Sequence, residues 1–309
     1  MTSKRYINTN KADFIFLKRS YMFAEIIDGR MKNPEDTLIK LAATLLGNVL
    51  HRYLNLPGKY MGGCPNEYPF NKEESRADVC YVIELNDKYQ YVNIEDESSR
   101  VNKSTLLKII KYSTNIECSK RTQVISVITT TEPLEKCLKE MNISKTKILK
   151  PIIISFPEFD GEEKLGILRK KIGNGELFSD EEAMEIIFLL RMFTENQAET
   201  LEEVCELFAE LKVEDPDLKE RMKFCMQCII HKYARTIEDI RRLEKVINLT
   251  IKFEDYIERQ REEGRKEGKL EGKLELAQSV AETYGIQQAM QISGFTEKEI
   301  QTGHLASSK

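Results

Sequence analysis

Apolar and polar positions alternate on both sides of Asn86-Asp87, in RADVCYVIEL before it and KYQYVNIEDE after it. Two period-two runs around a two-residue polar turn predict a β-hairpin. Upstream, residues 36–56 carry apolar side chains at helical spacing and stop at Pro57 and Gly58, which predicts a core-facing helix. The Gly/Pro-rich stretch from Leu56 to Pro69 is expected to be a loop. Downstream, the pattern predicts a helix over 104–118 and a β-branched buried strand over 122–131. A helix from about Glu132 to Met141 and a strand over 150–156 follow. Helices alternating with strands imply a mixed α/β sheet covered by helices.

After Pro157 the character changes. DGEEKLGILRKKIGNGELF is glycine-punctuated and loop-like, and from Ser179 almost everything has a helical period. Ser179 with Glu182 forms a possible capping box opening a run to Glu195. Further helices are expected over 199–212, 216–234 and 236–262. The chain therefore divides into an α/β core at 1–175, a helical region at 176–262 and a glycine-interrupted charged tail at 263–309. In that tail Gly264, Gly268 and Gly272 fall four residues apart. On a helix they form a stripe that another helix could approach, or they mark a frayed, solvated segment, since each glycine costs about 1 kcal/mol of helix propensity.

Composition narrows the function classes. A hydrophobic fraction of 41 % with 32 % charged residues describes a folded, water-soluble chain, and a net charge of −4 means that any nucleic-acid contact must come from a local basic patch. The first residues lack an apolar signal segment, and no window reaches the roughly 20 apolar residues that span a bilayer. A cytoplasmic protein with no membrane association is expected. Seven scattered cysteines fit reduced thiols, and the CxxC of Cys225 and Cys228 lacks a second ligand pair.

Counting outward from Asn86-Asp87 places Leu85 opposite Lys88, Ile83 opposite Gln90, Tyr81 opposite Val92 and Val79 opposite Ile94, all on one largely apolar face. The other face ends with Asp78 opposite Glu95, and Arg76 with Glu97 extends it. Opposed residues have Cβ atoms about 4.5–5.5 Å apart, where like charges repel. A hard divalent cation would compensate, because Mg²⁺ is commonly held by one or two carboxylates plus water and phosphate oxygens. The alternative is a solvated strand end whose charge Arg76 offsets.

Asp78, a hairpin and Ile94-Glu95-Asp96-Glu97 resemble the D…(E/D)xK core of PD-(D/E)XK nucleases. More narrowly, the chain is similar to the Rpn family of recombination-promoting nucleases, often labelled putative transposases. The motifs are Asp13-Phe14-Ile15-Phe16, Asp78, Asn93-Ile94-Glu95, Lys111-Tyr112 and the tail from Glu263-Gly264 to Glu271-Gly272, followed by GIQQAMQISGFTEKEI. The resemblance implies a restriction-endonuclease-like mixed sheet flanked by helices and an all-helical C-terminal region. It also implies Mg²⁺ or Mn²⁺ on Asp78 and Glu95, with Glu97 assisting. The departures are Glu97, where the family has Gln or Lys, and Leu17, where it often has Lys.

Between Ser98 and Gln123 six basic residues (Arg100, Lys103, Lys108, Lys111, Lys120 and Arg121) face a single acid, Glu117. Lys108 and Lys111 are three apart and share a helical face where they could contact DNA phosphates. No phosphate-binding glycine loop, GxSxG or HExxH occurs. The leading expectation is a metal-dependent DNA endonuclease linked to recombination or mobile elements, forming homo-oligomers through its C-terminal helices. The rival is a catalytically inactive nuclease-like binding or assembly protein that acts through those helices.

Overall fold

The computed structural model describes residues 26–27, 30–63, 67–70, 73–76, 78–145, 148–193, 195–249 and 253–302. The Asp13-Phe14-Ile15-Phe16 segment and Leu17 lie outside them. Two short strands, β1 (Ile26–Ile27) and β2 (Arg30–Met31), pair antiparallel. Helix α1 (Pro34–Leu45) then starts on Pro34, whose missing N–H costs nothing in a first turn. The single helix expected over 36–56 is divided at Leu46 into α1 and α2 (Gly47–Tyr53). Gly47 lies against the Tyr60 ring so closely that a Cβ there would meet its hydroxyl at 2.5 Å.

The expected loop from Leu56 to Pro69 instead contains β3 (Lys59–Gly63) and enters β4 (Glu67–Phe70), which pairs with β5 (Glu73–Arg76). Strand β3 was illegible because a bulge between Tyr60 and Gly62, the latter at φ 133°, breaks its alternation. The predicted hairpin is present as β6 (Val79–Leu85) and β7 (Lys88–Glu97). Asn86 (φ 51°) and Asp87 (φ 57°) form the left-handed turn that such a hairpin requires. All seven ladder pairs from Leu85–Lys88 to Val79–Ile94 are those counted from the turn.

Helix α3 (Lys103–Lys120) opens on a capping box in which the Asn102 side chain accepts from the Ser104 and Thr105 N–H groups. Strands β8 (Val124–Thr130) and β11 (Ile152–Ser155) join the sheet, whose order is β11-β8-β7-β6-β3. The β11/β8 and β8/β7 pairs are parallel, and β7/β6 and β6/β3 are antiparallel. The architecture is thus a mixed α/β sheet with flanking helices and a helical C-terminal region.

The helix expected over 132–141 is absent: only a 3-10 turn forms at Leu134–Lys136, and the two-residue strands β9 (Met141–Asn142) and β10 (Ile148–Leu149) follow. Leu134, Cys137, Leu138 and Met141 have helical spacing, but the Leu138 N–H donates to Val101 O at 2.9 Å, outside any helical ladder. Cys137 meanwhile packs with Val101, Leu106, Ile109 and Ile128. Conversely, the segment after Pro157 expected to be loop contains α4 (Gly161–Gly173). Asp160 caps it, acids fill its first turn, Lys170 and Lys171 its last, and Leu165 and Leu168 are buried. Gly161 is required by close approach, since a Cβ would lie 2.7 Å from the Phe193 ring.

The Ser179–Glu182 capping box opens α5 (Asp180–Phe188), which passes into a 3-10 turn at Leu189–Arg191 and so ends short of Glu195. Helices α6 (Gln197–Glu210), α7 (Pro216–Tyr233) and α8 (Ile237–Val246) follow. Helix α3 covers one face of the sheet through Ile116, Leu106 and Ile109, while α1 packs against β6, β7 and α7. Residues 1–250 form one compact unit and 251–309 a second.

The second unit holds α9 (Phe253–Tyr284), α10 (Ile286–Ser293) and α11 (Glu297–Thr302). The helix expected over 236–262 is therefore two helices, because α8 stops at Val246 and Asn248 adopts a left-handed φ of 54°. Helix α9 runs through the three tail glycines. Leu274, Ala277, Ala289 and Ile300 form a small core of this unit's own. Among the described residues no helix is long and apolar enough to cross a membrane.

Candidate active site

Asp78 and Glu95 come together at the end of the β6–β7 ladder, though not as opposed ladder residues. The ladder stops at Val79–Ile94, and Arg76 pairs with Glu67 in the β4–β5 hairpin, not with Glu97. The Asp78 N–H instead points at Glu95 Oε1 (3.4 Å), and the Asp96 N–H donates to Asp78 Oδ2 (3.2 Å). Glu95 is 1 % exposed and Asp78 9 %.

Two ammonium groups meet this pair. Lys108 of α3 lies 2.6 Å from Glu95 Oε2 and 3.7 Å from Asp78 Oδ2. Lys40 of α1 lies 3.7 Å from Asp78 Oδ1 and 2.6 Å from Asp36 Oδ1. Burial, then the Asp78 charge, pushes the Glu95 carboxyl well above the usual range, with Lys108 opposing the shift. Burial alone would lower the Lys108 pKa, but Glu95 and Asp78 outweigh it and hold the ammonium charged. Glu95 Oε2 is buried without a well-directed hydrogen bond, so its contact with Lys108 is one of charge and proximity.

Glu97 does not reach the pair through the contacts it makes. Its Oε1 accepts from the Ser99 hydroxyl (2.7 Å) and N–H (3.3 Å), and its Oε2 from the Thr105 hydroxyl (3.1 Å). It braces the N-terminus of α3, where the helix dipole favours an anion. Arg100 and Lys103 are exposed beside that terminus, and Arg100 Nε donates to Lys136 O at 2.7 Å. Lys111 is exposed one turn beyond Lys108. Of these four basic residues Lys108 contacts both carboxylates, Lys103 and Lys111 lie on the same helix, and Arg100 precedes it.

Comparisons with protein-family models, with curated proteins and with solved structures find no match. The site's chemistry is read from its own geometry.

Sequence reasoning passed over Lys40 and Arg191, and it named Asn93 and Asp96 within motifs without giving either a role of its own. Asp96 points to the opposite face from Glu95, where its Oδ1 is 2.7 Å from Arg191 Nη2 and accepts from the Thr129 hydroxyl. Burial pushes the Asp96 carboxyl upward against the pull of Arg191 and Thr129. Arg191 is 1 % exposed, lies 4.7 Å over the Phe156 ring and ties the helical region to the strand that carries the site. Its signal was present in the sequence: a lone charge inside the apolar run IIFLLRMF. Lys40 gave a similar signal within DTLIKLAATL. Asn93, on the Glu95 face of β7, is fully buried and its amide has no hydrogen-bond partner among the described residues.

Among the described residues no group of three or more His, Cys, Asp or Glu is placed to hold a metal ion. Two carboxylates with a buried, poorly satisfied oxygen still fit a hard cation such as Mg²⁺, which typically keeps several waters and takes one or two protein carboxylates.

Proposed function

We propose that the protein is a metal-dependent DNA endonuclease of the PD-(D/E)XK type, using Mg²⁺ or Mn²⁺. The observation that carries this reading is the convergence of Asp78, just before β6, Glu95 of the central strand β7 and Lys108 of α3, whose ammonium lies 2.6 Å from Glu95 Oε2 and 3.7 Å from Asp78 Oδ2. Asp78 and Glu95 would hold the ion, and the Asp96 N–H would orient Asp78. When bound, such an ion polarises a phosphodiester, activates a water and stabilises the leaving oxygen. Arg100, Lys103, Lys108 and Lys111 would align the phosphate backbone along α3. They read charge and spacing, and so favour no base sequence. A cytoplasmic location, a link to recombination and self-association through the C-terminal helices belong to the same reading.

One observation favours a second reading, a nuclease-like protein that binds or assembles without cutting. Glu97, where the family resemblance expects Lys or Gln, is engaged by Ser99 and Thr105 and leaves the attacking water without that partner. Plasmid cleavage separates the two. Purified protein is incubated with Mg²⁺ or Mn²⁺, with EDTA, and with Asp78→Ala and Glu95→Ala in parallel. Nicking that requires metal and disappears in both variants is the expected result. Wild type that leaves plasmid intact, or variants that cut equally well, overturns the catalytic reading in favour of the second.

A further inference from the structure

Two ammonium groups already offset part of the charge of Asp78 and Glu95. Lys40 has a side chain 10 % exposed and lies 2.6 Å from Asp36, so much of its charge is committed on α1. Lys108 differs. Its side chain is 44 % exposed, and its ammonium reaches Glu95 Oε2 at 2.6 Å and Asp78 Oδ2 at 3.7 Å. A Mg²⁺ ion shared by these carboxylates needs oxygens at about 2.0–2.1 Å in near-octahedral geometry. The Lys108 ammonium lies 2.6 and 3.7 Å from those same two oxygens, and like-charge repulsion disfavours a divalent ion there while it remains.

We infer that Lys108 is a built-in counter-ion that competes with the divalent cation for Asp78 and Glu95, so that metal entry expels its ammonium and frees it for a phosphate. The inference rests on the metal-site reading above. Glu95 is 1 % exposed, a buried carboxylate is costly unless it is paired, and Lys108 pairs it at 2.6 Å from a flexible four-carbon stem that can swing away. Metal binding and polyanion binding are then linked. Each expels or recruits the same ammonium, and the linkage acts equally in both directions.

The test is Mg²⁺ binding to the full-length protein by calorimetry, with Mn²⁺ binding by electron paramagnetic resonance as a second readout. Wild type is compared with Lys108→Gln, Lys108→Arg, Lys120→Gln, and Lys108→Gln combined with Glu95→Ala. Lys120 lies twelve residues along α3, about 18 Å away at 1.5 Å per residue, and controls for loss of net charge. Lys108→Gln is expected to tighten Mg²⁺ at least about tenfold, equivalent to about 1.4 kcal/mol. Lys108→Arg and Lys120→Gln should stay near wild type, and the double variant should lose binding.

Binding to Lys108→Gln that equals or falls below that of wild type overturns the counter-ion while leaving the metal site standing. Saturable binding by Lys108→Gln where wild type shows none supports it. Absence of binding in every protein overturns the metal site and the counter-ion together. If Lys108→Gln is too unstable to assay, Lys108→Met takes its place, with the same roughly tenfold tightening expected and binding no tighter than wild type overturning the counter-ion.

Discussion

Arg191 and Asp96 form an ion pair with both side chains about 2 % exposed, and their environment fixes how each responds to substitution. Removing one partner strands the other charge in the interior, which costs about 3–5 kcal/mol, whereas replacing both with apolar or neutral groups is often close to neutral. Arg191→Met alone should therefore lower unfolding stability by about that amount. Asp96→Asn should cost at least as much, because the guanidinium of Arg191 keeps its buried charge whereas a carboxyl left alone can take up a proton, and the double variant should recover much of the loss. Urea denaturation of all four proteins measures the coupling. Purely additive losses would show that Arg191 acts elsewhere.

His51 makes a pH-dependent contribution of known sign. Its Nδ1 lies 3.1 Å from the Tyr81 hydroxyl and its Nε2 3.0 Å from Gly58 O, which suits a neutral ring donating from Nε2 and accepting at Nδ1. Burial holds its pKa below 6.5, with the Gly58 bond opposing and Arg52 reinforcing. In the unfolded chain the ring takes up a proton near pH 6.5 that the folded ring resists. The stability it contributes is thus present above pH 6.5 and lost as pH falls below it. Denaturation midpoints from pH 8 to pH 5.5 should fall more steeply for wild type than for His51→Gln. Parallel curves would assign the acid sensitivity to other groups.

At the scale of elements, α3 carries the site's cation, and its start is set by Asn102, whose side chain accepts from the Ser104 N–H at 2.7 Å and the Thr105 N–H at 3.2 Å. Asn102→Ala should cost about 1 kcal/mol, within the range of 0.5–2 for lost caps, and chemical denaturation measures it. Residues 102–105 lie beside the Glu97 brace, so hydrogen exchange should quicken in the first turn of α3 and not in its last. The elements the sequence revealed were those whose signals are local: the hairpin turn, the Ser179 cap and the periodic helices. Strand β3 was hidden by its bulge. The 132–141 segment has helical spacing, but the backbone bond of Leu138 to Val101 and burial of Cys137 against α3 prevailed. Helix α4 was mistaken for a loop because glycines outweighed its caps and its pair of buried leucines.

The whole molecule divides into units of 1–250 and 251–309, and the second buries its own cluster of Leu274, Ala277, Ala289 and Ile300. A chain ending at residue 250 should keep a cooperative unfolding transition, since the β sheet and α1 to α8 stay intact. Light scattering of that fragment against the full chain tests whether 251–309 drives self-association, and a broad, non-cooperative melt would contradict the independence of the first unit. The sequence by itself determined the hairpin, its turn, its register from Leu85–Lys88 to Val79–Ile94 and the nearness of Asp78 to Glu95 at its end, because these depend on period and on residues near in the chain. Tertiary structure alone decided that Asp78 leaves the ladder, that Lys40 and Lys108 converge on it from different helices, and that Arg191, 95 residues beyond Asp96, holds the strand from behind. Such contacts depend on how separate elements pack, and no local pattern encodes the distance between side chains that only the closed core brings together.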